Sequence, residues 1–225
     1  MKIKRIGLEV STWFKQMFCI RNSWLLLPGF CAVILVYAVN HFDVYPWLTT
    51  KIFHENCAPW LVLSIFVIFL ATSFISRDSL VIFLTVLALV FLVRELNSTT
   101  FSLFGGEYLF KSKKLVDCLL VGMVLWAIGW HERLFVSFNR SITFKVLLSG
   151  VLWTYLFSQL IARRVFRDIF PDERLLHVPM EETVETAAHL FFIVCALFCL
   201  FYFSSRKTAR VEIASSAVES GDTVG

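Results

Sequence analysis

Long apolar runs alternate with short charged ones along this chain, and the apolar runs have the length of membrane-crossing helices. A spanning helix needs about 20 mostly apolar residues, because each adds about 1.5 Å against a hydrocarbon core of roughly 30 Å. Six runs meet or approach that length: residues 23–40, 58–76, 79–97, 114–131, 144–162 and 183–204. Pro28 and Gly29 fall in the first turns of the first run, and the second opens at Ala58, Pro59 and Trp60. Only Arg77 and Asp78 separate the second run from the third, so those two spans must return side by side, antiparallel. The third and fourth runs are short. Ser79 to Val93 gives fifteen uncharged residues before Arg94 and Glu95, and Cys118 to Trp130 gives thirteen between Asp117 and His131-Glu132-Arg133. Charged groups drawn to membrane depth cost roughly 2.5–3.5 kcal/mol each, so they should face protein and find partners.

This pattern predicts an all-α fold, a polytopic membrane helix bundle with six transmembrane helices over residues 23–204. Ahead of it, Ile3, Ile6, Val10, Trp13, Met17 and Ile20 recur at three- and four-residue steps among Lys2, Lys4, Arg5, Glu9 and Lys15. That is the period of an N-terminal amphipathic interfacial helix over residues 1–22, or of a helix packed on the protein's own loops. Charge continues through Lys15 to Arg21, which is not the pattern of a cleavable signal. Residues 205–225 are polar and rich in small side chains, and are expected to be a disordered tail.

Composition narrows the class. The chain is 58% hydrophobic and 17% charged, against about 45–50% and about 25% for soluble domains, which excludes an ordinary water-soluble enzyme. The 24 Phe and 7 Trp suit lipid-facing surfaces and interfacial belts. The net charge of +4 is spread beside the apolar runs and not gathered in one domain, which argues against nucleic-acid binding. None of the six cysteines forms a CxxC pair; Cys195 and Cys199 share a helix face and read as packing residues.

An even number of spans puts both termini on one side. Lys2, Lys4, Arg5, Lys15 and Arg21, with Arg206, Lys207 and Arg210, favour the cytoplasm for that side. The turn at 77–78 and a loop over 132–143 belong to the same side. The other face then collects His41, Asp43, His54, Glu55, Arg94, Glu95, Asp117, Arg163, Arg164, Glu181, Glu182, Glu185 and His189. Any chemistry belongs there.

The sharpest feature is Glu181-Glu182-Thr183-Val184-Glu185-Thr186-Ala187-Ala188-His189, because Glu182, Glu185 and His189 form one stripe along a helix. A carboxylate and an imidazole four residues apart can hold a metal or relay a proton. Alternatively, the acids complement the positive end of the helix dipole and His189 bonds a neighbouring helix. Arg94 and Glu95 point about 100° apart, so Arg94 is expected to reach a carboxylate of another helix: Glu182, Glu185 or Asp117. It would be an interhelical pin or a clamp on a lipid phosphate. Asp117 opens the fourth span as a cap would. Tyr155, Gln159 and Arg163 make a polar stripe on the fifth, where Gln159 is expected to bond another helix. The segments 101–110 and 163–180 are apolar enough to lie in the interface.

No H-E-x-x-H, P-loop, G-x-S-x-G or G-x-G-x-x-G pattern is present. The pair Glu181-Glu182 does not complete the E-E-x-x-x-R pattern of CAAX-type membrane proteases, because position 186 is Thr. The sequence therefore favours a non-enzymatic membrane protein, a scaffold or a handler of small solutes or protons. The alternative is a membrane-embedded metal-dependent hydrolase or transferase acting on lipid headgroups. Its only cofactor would be a divalent metal, with Glu182, Glu185, His189, His54 and His41 as the ligand candidates. Membrane lipids are the expected partners, with a membrane protein or a second copy of the chain.

Overall fold

A computed structural model describes residues 27–42, 50–98, 113–139, 141–166 and 173–221. The described residues are all helical and turn, with seven helices and no strand among them. In chain order these are α1 (Leu27–Phe42), α2 (Lys51–Ser76), α3 (Ser79–Ser98), α4 (Lys113–Gly129), α5 (His131–Phe138), α6 (Ile142–Ala162) and α7 (Glu173–Gly221). The expected interfacial helix over 1–22 and the apolar segment 101–110 lie outside the described residues.

Four stretches are long and apolar enough to cross a membrane: Phe53–Ser76, Ser79–Leu96, Ile142–Ala162 and Leu176–Thr208. The exposed apolar surface of these and the neighbouring helices agrees with that reading. Ile34, Phe74, Leu125, Ile142 and Phe201 are each more than 60% exposed, a density of bare apolar side chains that water would not tolerate and lipid would cover. The fold is thus that of an integral membrane protein. Six crossings were expected; among the described residues the two remaining runs do not form single straight helices of spanning length. α1 is an apolar helix of 16 residues, about 24 Å long. The run over 114–131 ends at Gly129, and the chain turns by 80° into α5.

That turn replaces an expected loop. α5 carries Glu132 and Arg133 on its exposed side and buries Ser137 and Phe138. Arg133 stacks over the Trp130 ring, 4.9 Å from its centroid, the pairing of a basic and an aromatic side chain that suits the headgroup level. Trp130 stands at the corner between the two helices.

Hydropathy marked where lipid begins and not where helices begin. α2 starts at Lys51, ahead of the expected Ala58-Pro59-Trp60 opening, and holds Pro59 inside it. Likewise α7 starts at Glu173 and holds Pro179. At its other end α7 continues to Gly221, through most of the segment that composition marked as a disordered tail. Arg206, Lys207, Ala209, Arg210 and Ala214 there are good helix formers, which lets the helix run on.

The chain divides into two compact units: residues 1–54 with 146–191, and residues 55–145 with 192–225. In the first, Ala32, Val33 and Val36 of α1 pack with Phe157 and Ile161 of α6 and Leu176, Met180 and Val184 of α7. The four-residue steps from Leu176 to Val184 give α7 its apolar stripe. Close approach depends on two glycines. A Cβ on Gly29 would stand 2.5 Å from the Phe157 ring, and one on Gly150 would stand 2.0 Å from the Phe191 ring. In the second unit α3 packs on α4 and α5. The Phe83 and Trp126 rings meet at 5.6 Å, and those of Phe69 and Phe192 at 5.3 Å. Its tight turn is built by Arg77, in the left-handed region at φ 50°, and by Asp78, whose carboxylate accepts the Leu80 N–H at 2.9 Å to cap α3.

Candidate functional site

Buried polar groups within these helices mostly satisfy themselves. Thr72, Thr85 and Thr154 donate to carbonyls one turn back, at 2.7–2.8 Å, which keeps their hydroxyls out of any site. Besides the Ser137–Asp78 bond of the second unit, the exception is a group in the first unit, arranged along and against α7.

At its head is His54, buried at 3% exposure in the first turn of α2. Its Nδ1 lies 2.8 Å from the Thr186 hydroxyl and its Nε2 lies 3.1 Å from the Thr183 hydroxyl. Two threonines three residues apart rise by about 4.5 Å along the helix, so one imidazole can reach both with its two opposed nitrogens. A neutral imidazole has one N–H donor and one acceptor. One threonine therefore accepts from the ring while the other donates to it. Moving the ring proton to the other nitrogen, with rotation of both hydroxyls, gives an equivalent arrangement with the direction of donation reversed.

Glu185 lies between those two threonines in α7, and one of its carboxylate oxygens is within 4.8 Å of a ring nitrogen of His189, one turn further along. His189 is 1% exposed, and the Tyr155 ring of α6 meets it edge-on at 5.5 Å. One turn beyond Tyr155 on α6, the Ser158 hydroxyl is buried and has no hydrogen-bond partner among the described residues. The first unit thus holds two groups of proton-exchanging side chains: His54 with Thr183 and Thr186, and Glu185 with His189 and Tyr155.

Glu181 and Glu182 are half-buried on the same helix. Because α7 begins at Glu173, they stand two turns inside it, and the expected role of complementing a helix N-terminus does not hold. Gln159 was expected to bond another helix, but it is exposed on α6. Arg163 is exposed in the turn that follows, beside Arg164 at φ 55°. His41 is exposed at the end of α1, edge-on to Phe42 at 4.9 Å.

The remaining candidates belong to the second unit. Arg94 Nε lies 3.9 Å from Glu95 Oε1 of its own helix, and 42% of the Arg94 side chain is exposed. Glu95 is buried. Asp117 falls within α4, with its side chain outside the described residues. Cys195 and Cys199 are buried, as packing residues are.

Sequence reasoning ranked His54 only as an outlying metal candidate and passed over Thr183 and Thr186. The available signal was the Thr-x-x-Thr spacing inside the Glu/His stripe, which puts two hydroxyls on one helix face. His177, whose Nε2 lies 3.4 Å from the Ala162 carbonyl oxygen, was also not singled out. No family profile, curated protein or solved structure matches the chain.

Proposed function

We propose that the protein handles protons, or a small polar solute that exchanges them, through the proton-exchanging side chains gathered on and against α7. The observation that carries this reading is the His54 imidazole held at both nitrogens by Thr183 and Thr186. A structural histidine needs one anchor; a ring bonded on both sides by groups that donate and accept is arranged to take a proton at one nitrogen and release one at the other. Thr183 gives its hydroxyl proton to Nε2 as it takes one from the transported water or solute, while Nδ1 passes its proton to Thr186, which releases its own hydroxyl proton to a water or solute on its far side. Hydroxyl rotation resets the chain. Ionisable groups inside membrane helices are costly, and those kept there generally serve an ion or proton pathway.

The test is proton flux in sealed proteoliposomes with an internal pH dye, after imposing a potassium-diffusion potential. The wild-type protein is expected to dissipate the gradient faster than empty vesicles, and His54→Leu to remove most of the difference. Equal rates for protein-containing and empty vesicles would refute the reading. The termini are assigned to the cytoplasm, on the strength of their basic residues.

A second reading, metal-dependent chemistry on lipid headgroups, is favoured by the closeness of Glu185 and His189. It requires stoichiometric metal. Elemental analysis of the purified protein that found no zinc, iron or manganese would remove it.

A further inference from the structure

In the second unit the α2–α3 turn, the end of α5, the start of α6 and the outgoing part of α7 come together. The Ser137 hydroxyl donates to the Asp78 carboxylate at 3.0 Å, and Asp78, Ser137, Ser141, Phe144 and Tyr202 line one small cavity. Five basic residues stand around that junction. Arg77 precedes Asp78, Arg133 lies one turn before Ser137, Lys145 follows Phe144, and Arg206 and Lys207 lie about one turn beyond Tyr202. Arg77, Arg133, Arg206 and Lys207 are exposed, and Lys145 is half-buried. Three of the five lie over rings: Arg133 over Trp130 at 4.9 Å, Arg206 over Tyr202 at 4.6 Å and Lys145 over Phe138 at 5.7 Å. A ring engages the face of a guanidinium and leaves its in-plane N–H donors for an anion. Acids do not cancel this charge. Asp78 is buried and occupied by the α3 cap and by Ser137, so among the described residues Glu132 is the exposed carboxylate there. At the other ends of α2 and α3 the described charged side chains are Glu55, Arg94 and Glu95, two acids to one base.

We propose that this end of the second unit is a docking surface for the headgroups of anionic phospholipids in the leaflet it faces. Two features select that occupant. The first is the charge, five basic side chains to one exposed acid, which attracts a headgroup of net negative charge and gains little from a zwitterionic one that carries its own ammonium. The second is the apolar surface beside it. Phe74, Trp130, Ile142 and Phe201 are exposed, three to five residues from Arg77, Arg133, Lys145 and Arg206 in turn. Acyl chains that cover those apolar side chains bring their own phosphates to the basic ones, which a soluble anion or an acidic protein has no means of doing. Arginine, with its planar fork of donors, suits phosphate oxygens.

The test uses the full chain in phosphatidylcholine bilayers, with spin-labelled phosphatidylglycerol or spin-labelled phosphatidylcholine as the probe. Electron paramagnetic resonance reads the fraction of each that is held at the protein. Phosphatidylglycerol is expected to associate about fivefold more strongly, the effect of one basic side chain at an anionic headgroup. In about 1 M salt, where the screening length is about 3 Å, that preference should fall towards unity. Arg133→Gln/Arg206→Gln/Lys207→Gln should remove most of it, while Arg94→Gln, at the far end of α3, should leave it in place. The salt titration needs no substitution, so it decides the matter on the wild-type chain even if the triple variant does not fold. Equal association of the two lipids, a preference that salt does not lower, or one that the folded triple variant retains would overturn the proposal. Displacement of the labelled lipid by soluble glycerol phosphate would overturn it as well, since the basic residues would then serve a free phosphate.

Discussion

Replacing His54 by leucine keeps a side chain of similar bulk and removes both ring nitrogens, so it isolates the two hydrogen bonds that define the site. Hydrogen bonds between helices in membranes contribute about 0.6 kcal/mol on average and about 1.7 at most. Two of them, at 2.8 and 3.1 Å, set an upper range of about 1–3 kcal/mol. The stranded hydroxyls do not stay stranded: Thr183 and Thr186 can turn to the carbonyls of Pro179 and Glu182, one turn back on α7. That recovery moves the expected loss to the lower half, about 1–2 kcal/mol, or roughly 2–8 °C in melting temperature for a chain of this size. The assay is thermal unfolding in detergent of His54→Leu, Thr186→Val and the double variant. If the bonds exist, the single losses do not add, and the cycle returns a coupling of about 0.5–1.5 kcal/mol. Additivity within about 0.3 kcal/mol would mean that His54 and Thr186 do not interact, and the site would lose its foundation.

Other expectations follow from packing and caps. Gly150→Leu forces atoms into the Phe191 ring and should destabilise by about 1–3 kcal/mol, with partial recovery in Gly150→Leu/Phe191→Ala. Gly122→Leu is the control: nothing lies within 4 Å of a Cβ there, and the melting temperature should stay within about 2 °C. Asp78→Ala removes both the α3 cap and the Ser137 contact and should cost about 1–3 kcal/mol by the same assay, with Asp78→Asn costing clearly less.

The apolar runs made the helical membrane fold legible, because burial in lipid imposes a length and a composition that few other environments demand. The two-residue turn at Arg77-Asp78 was equally plain, since no other arrangement of its flanking runs is available. Helix limits were not legible. Pro59 and Pro179 read as starts or breaks in a sequence, yet both sit inside helices, where each removes one backbone donor and crowds the carbonyl four residues back. Placing them inside moves His54 from a loop into α2, and Glu181 and Glu182 from the end of α7 into its interior. The corner at Trp130 was hidden for a different reason. The charges of His131, Glu132 and Arg133 suggested a loop, while an eight-residue helix carries the same charges in its first turn. The candidate site was half-readable. Glu185 and His189 stood out by spacing on one helix, whereas the pairing of His54 with two threonines about 130 residues away is a tertiary fact that no local pattern carries.

The central claim is that the His54 ring trades its proton between two hydroxyls within the membrane. Solid-state NMR of the ¹⁵N-histidine protein in lipid bilayers, with His54 assigned by loss of its signals in His54→Gln, measures this directly. The account predicts that both His54 nitrogens are seen in protonated and unprotonated forms and exchange with water. A ring locked in one tautomer, with its single N–H protected from exchange for hours, would contradict it.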